Sequence, residues 1–141
     1  MPLTANIDDL YAAILGYELE NEWNSEEFNA GDHKWKVSVY PKGSGKRKGS
    51  HVSIFLHKVG FSSGEKVKAD YSICIKNQYG NGNRKHLFNH LFSASSSSWG
   101  RRSFIPIADM KQPGFLVEDL CIIEVEISIQ AVFWNKIGFK M

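Results

Sequence analysis

A chain of 141 residues has room for one domain with a sizeable core. An apolar share of 43% against 23% charged residues excludes global disorder, and a net charge of only +2 does not call for a polyanionic partner. Nine Phe, five Tyr, four Trp and 12 Gly lean the composition toward β structure.

No stretch approaches the roughly 18 apolar residues of a membrane-spanning helix. The opening MPLTANIDDLYAAILGYELE lacks the basic region that starts a signal peptide, so the expectation is a soluble protein of the cytosol or nucleus. Residues 4–20 carry helical signals: Thr4 or Asn6 as cap, Asp8 and Asp9 in the first turn, and Leu10, Ile14 and Tyr17 at helical spacing. Residues 1–22 therefore read as an atypical N-terminal segment, predicted helical.

After residue 30 the period becomes two. HKWKVSVYPKG sets Trp35, Val37 and Val39 on one face and stops at Pro41-Lys-Gly. HVSIFLHKV turns Val52, Ile54 and Leu56 one way and Ser53, Phe55 and His57 the other. DYSICIKNQ gathers Tyr71, Ile73 and Ile75, and CIIEVEISI gathers Cys121, Ile123, Val125, Ile127 and Ile129 against an outward Glu124, Glu126 and Ser128. Turn signals separate these runs at Gly43 to Gly49, at Ser62-Ser63-Gly64 and at GNGN, residues 80–83. Short alternating strands with such turns predict an all-β antiparallel sandwich or barrel. KHLFNHLF (85–92) fits a helix or a strand, IPIADM (105–110) reads as a short helical turn, and the tail from 130 to 141 is apolar and basic without a clear period.

The chemistry-bearing clusters are sparse. KGSGKRKGS (42–50) has Gly45-Lys46, but Arg47 stands where a phosphate loop needs Ser or Thr, so it reads as a solvated hairpin loop. His86 and His90 are four apart and His51 and His57 six apart, without a third ligand nearby; Cys74 and Cys121 lie in apolar runs as buried thiols. No G-x-S-x-G elbow is present, and the carboxylates fall on solvent-side alternation or in the run Glu18 to Glu27. The sequence predicts no enzyme, metal or cofactor. What stands out is aromatic: Phe55 on the outward parity of its strand, and Trp99 ending the polar run SASSSSWG. These two fit either a binding face or a second layer of packing.

SEEFNAGDHKWKVSVYPKG, HVSIFLHKV, ADYSICIKNQ, LFSASSSSWGRRSFIPIADM and GFLVEDLCIIEVEISI, in this order, resemble a MATH (meprin and TRAF homology) domain of the plant type, from about Trp23 to Ile129. The resemblance implies a TRAF-like antiparallel β-sandwich of about seven to eight strands over residues 23–129, followed by a C-terminal tail over 130–141. It also implies a non-catalytic module that docks short extended peptides of partner proteins, an adaptor beside ubiquitin ligases or deubiquitinases. Carried over position by position, the peptide groove comprises Phe55, Tyr71, Phe92, Ser97, Ser98, Trp99, Gly100 and Arg101.

The sequence departs from the family at three places. Arg101 replaces a further aromatic, Ser97 and Ser98 replace a Lys-Asp pair, and residues 1–22 lack the opening F-x-W-x-I-x-N-F strand. Tyr71 shares parity with Ile73 and Ile75, which points it inward. A missing first strand would leave an open sheet edge, and with the apolar tail (Val132, Phe133, Trp134, Ile137, Phe139) it supports a homo-oligomer as the alternative. A nucleic-acid reading requires Lys42, Lys46, Arg47, Lys48, Arg101 and Arg102 to converge on one face.

Overall fold

The computed structural model describes residues 3–7, 22–118 and 120–134, the first stretch for its backbone alone. The described strands are β1 (Leu3–Ile7), β2 (Trp23–Asn24), β3 (Phe28–Ala30), β4 (His33–Tyr40), β5 (His51–Val59), β6 (Lys66–Ile75), β7 (Arg84–Phe92), β8 (Ser98–Pro106) and β9 (Ile123–Phe133). They form two antiparallel sheets, one ordered β1-β9-β6-β7 and the other β2-β4-β5-β8 with β3 also paired to β4. This is the all-β sandwich that the alternation and the resemblance predict.

The core follows from the period of two. Trp35, Val37 and Val39 of β4, Val52, Ile54 and Leu56 of β5, Ile73 and Ile75 of β6, and Val125 and Ile127 of β9 are all fully buried between the sheets. Each such side chain contributes about 1.5–3 kcal/mol relative to exposure. Trp35 anchors the layer: its Nε1–H donates to the Ala30 carbonyl at 2.9 Å, and its ring meets Phe92 edge-on at 5.1 Å. The turn before β4 is a two-residue hairpin in which Gly31 and Asp32 both have positive φ (61° and 66°), the type I′ geometry that matches strand twist.

Three readings are revised. Residues 3–7, expected in a helix, form a strand whose register sets Leu3, Ala5 and Ile7 opposite Ile127, Val125 and Ile123. Pairing the backbone of β9 outweighs the local helical signals, so β9 has no open edge along this stretch; residues 8–21 lie outside those described. The ambiguous 85–92 segment is strand β7, with its inward side chains at Phe88 and Phe92 and its outward ones at Leu87 and Leu91. The tail is not separate from the sandwich, because β9 continues to Phe133, where Lys66 pairs with it. Phe133 and Trp134 are exposed, and Ile137 and Phe139 lie outside the described residues. The short helical turn before Pro113 is present as α1 (Ile107–Met110).

A pair of opposite charges enters the interior. Lys58, near the end of β5, is buried and places Nζ 3.2 Å from Glu65 Oε1, 2.5 Å from the Gly60 carbonyl and 4.0 Å from the centre of the Phe61 ring. Glu65 also accepts from the Ser62 backbone N–H and lies 3.9 Å from His33 Nδ1.

Candidate functional site

β8 ends its sheet, so among the described residues one side of its backbone has no strand partner. The register decides which groups that side presents. Lys58 N–H donates to the Ser97 carbonyl, and counting along the ladder makes Leu56/Trp99 and Ile54/Arg101 the bonded pairs. Phe55/Gly100 and His57/Ser98 are then the unbonded pairs, and the N–H and C=O of Ser98 and Gly100 point away from β5 toward the free edge.

The outer face of this sheet holds a pocket of about 230 Å³ beside that edge. Phe55 forms its apolar wall, with Tyr40 meeting it edge-on at 5.8 Å. His57, Ser98 and Arg102 line the rest, together with the Ser44–Gly45 turn from the β4–β5 loop. His57 Nε2 shares a hydrogen bond of 2.7 Å with Ser38 Oγ. Burial, then the Lys36 charge, lowers the His57 pKa against a partial counter-pull from Glu22, which favours the neutral ring. Ser53 Oγ fixes the far end, accepting from Ser44 N–H at 3.0 Å and donating to the Arg102 carbonyl at 2.7 Å.

The opposite face of β8 looks onto the seam between the sheets. Trp99 is 48% exposed there and stacks on His90 of β7, with centroids 4.5 Å apart and planes 9° from parallel. Three side chains tie the seam. His90 Nε2–H donates to the Ser96 carbonyl at 3.2 Å, Tyr71 O–H to the Trp99 carbonyl at 2.5 Å, and His86 Nε2–H to the Phe104 carbonyl at 2.9 Å. The two histidines four apart on β7 therefore bond to backbone, and among the described residues no group of three or more His, Cys, Asp or Glu side chains is placed to hold a metal.

The sequence-derived set divides accordingly. Phe55, Ser98 and Gly100 come together on the outer face, while Trp99 lies on the other side of β8. Arg101 is also on that other side, its Nε–H held to the Ser103 carbonyl at 3.1 Å. Ser97 gives its carbonyl to the ladder. Tyr71 and Phe92 are core residues. Tyr71 is only 4% exposed and stacked on Phe88 at 4.9 Å, burial pushes its phenol far up, and Phe92 is fully buried. The structure adds Tyr40, Ser44, His57, His90 and Arg102. For His57 the signal was present, since it shares the outward parity of Phe55. For the others the pairing of β8 with β5 and the path of the β4–β5 loop were needed. That loop and Arg102 do converge, as the basic-loop reading required, but Arg101 points elsewhere.

A β-sandwich with a free strand edge between a small pocket and an exposed tryptophan is the architecture of an interaction module. The chain belongs to the MATH domain family, whose model matches residues 8–127, upstream of Trp23 as well as across the sandwich. Ubiquitin C-terminal hydrolase 13 of Arabidopsis thaliana is 31% identical over 120 residues, which cover 79% of this chain and 10% of the hydrolase. A MATH domain and coiled-coil domain-containing protein of the same plant is 32% identical over 114 residues, 77% of this chain and 34% of that protein. The chain thus spans a tenth to a third of these relatives. TRAF5 of Notothenia coriiceps shares the fold, with a TM-score of 0.56 at 20% identity over 85% of this chain and 65% of that one. The matched region is a protein-interaction module and contains no hydrolase domain.

Proposed function

We propose that this chain captures a short extended peptide of a partner protein along the free edge of β8, as an adaptor in ubiquitin-linked recognition. The observation that carries the reading is the outward backbone of Ser98 and Gly100, which can add a strand while the flanking pocket and Trp99 take alternate side chains. The likeness to a ubiquitin C-terminal hydrolase supports the ubiquitin connection. Main-chain bonds would supply affinity, and Phe55 and Trp99 would supply the desolvated aromatic area.

The test is a peptide-library pull-down with wild type and a Phe55→Ala/Trp99→Ala double variant, after thermal melts establish that both fold. The expected result is a shared motif that wild type enriches and the variant loses. A folded wild type that enriches nothing overturns the reading and brings forward self-association, which the exposed Phe133 and Trp134 favour.

A further inference from the structure

We infer that the outer-face pocket selects an anionic side chain on the bound peptide, a carboxylate or a phosphate, through Arg102. This rests on the peptide-docking reading above and adds the chemistry of one position. Arg102 lines the pocket, and among the described residues no carboxylate lies within ion-pair distance of its guanidinium. Its head is placed by the backbone opposite: a side chain at Gly45 would meet Arg102 Nε at 2.9 Å and Cζ at 3.1 Å. The Gly45–Arg47 turn brings Lys46 and Arg47, both exposed, to the same end. Glu22 is engaged elsewhere, by the Tyr40 phenol. Ser44, in the pocket wall, has a buried hydroxyl without a partner among the described residues. A cationic fork beside an unmatched hydroxyl is suited to an anion that accepts several bonds.

The register fixes the rest of the motif. Successive residues of a strand added to β8 face opposite sides, so the peptide residues opposite Ser98 and Gly100 face the pocket. The one opposite Gly100 lies above Phe55 and is apolar, and the one two positions away meets Ser98 and is small and polar. The residue between them faces Trp99 and His90. Beyond Ile54/Arg101 the ladder shifts register and the Arg102 carbonyl accepts from the Ser53 hydroxyl, so the anion follows the apolar residue at the Arg102 end, outside the regular alternation. Arg101 makes no contribution, because it lies on the other face and is tied to Ser103.

The experiment presents immobilised full chain with degenerate peptide libraries whose central residue is phosphoserine, glutamate, serine or lysine. Wild type is expected to retain the phosphoserine or glutamate arm about tenfold over the serine arm, the scale of one charge-assisted hydrogen bond. An apolar residue should be enriched on one side of the anion, with a small polar residue two positions beyond it. Arg102→Gln should equalise the anionic and serine arms while still retaining peptides, Arg102→Lys should restore part of the preference, and Arg101→Gln should leave it unchanged. The arm that dominates identifies carboxylate or phosphate as the source. Equal retention of all arms by wild type, or a preference that survives in a folded Arg102→Gln variant, overturns this inference alone. Retention of no arm overturns the docking reading with it.

Discussion

A methyl group at position 100 would stand 2.1 Å from the Ile54 carbonyl oxygen and 2.6 Å from the Phe55 Cα. The constraint is close approach of two strands, since the obstacle is backbone, which can yield only by opening the β5–β8 ladder at the centre of the site. Gly100→Ala should therefore lower stability by about 1–3 kcal/mol, the usual cost of overpacking. Urea unfolding checks this, with Ser98→Ala, at a half-buried side chain, as the control expected to change little; equal midpoints for glycine and alanine at 100 would refute the close approach. At this scale the sequence was partly legible. Parity alone turned Phe55 outward, because its strand alternates without interruption on either side of it. Trp99 follows four serines with no apolar rhythm to set its direction, so its face emerged only from its pairing with Leu56.

The clamp of Lys58, Glu65 and His33 joins the end of β5, the approach to β6 and the start of β4. Lys58 is buried with its charge matched by one carboxylate and one carbonyl. Lys58→Met leaves Glu65 without its cation, which should cost about 3–5 kcal/mol, whereas Lys58→Met/Glu65→Leu should recover most of that loss. Chemical denaturation of the two variants separates these outcomes, and a double variant no better than the single one would mean the pair itself, and not an orphaned charge, sets the cost. Elements were legible where the period was unambiguous. In β7 it was not: a spacing of four is both one turn of helix and two steps of strand, so Leu87/Leu91 and Phe88/Phe92 satisfy either pattern. The competing signal at residues 3–7 was local capping, and the deciding one was the bare edge of β9, which no local window contains.

Across the whole molecule, burial has acted on titratable groups in a way that gives stability two flanks in pH. His33, His57 and His90 are all held below their ordinary value of 6.5, burial being the main cause in each, with Lys58 adding to it at His33 and Lys36 at His57. Each lowered histidine contributes stability that is complete above 6.5 and lost as the pH falls through that value toward the folded one, because the unfolded chain then binds more protons. Glu65 adds a second acid step: burial pushes its carboxyl up, but the Ser62 N–H and Lys58 outweigh it, so its pKa lies below the ordinary 4.5 and its contribution disappears as pH falls past that point. Burial works in the other sense on Tyr71 and Cys121, raising the thiol to about 12, so both favour the folded chain until the pH rises past their ordinary values of 10.0 and 9.0. Urea midpoints should therefore form a plateau between about pH 7 and 9 and decline on either side. A His57→Gln/His90→Gln variant should flatten the first part of the acid decline, below about pH 6.5, while leaving the alkaline limb in place. Wild-type midpoints that stay level from about pH 7 to 5 would show that the rings at the pocket and the seam are solvated, and that neither face of β8 is as closed as its hydrogen bonds imply.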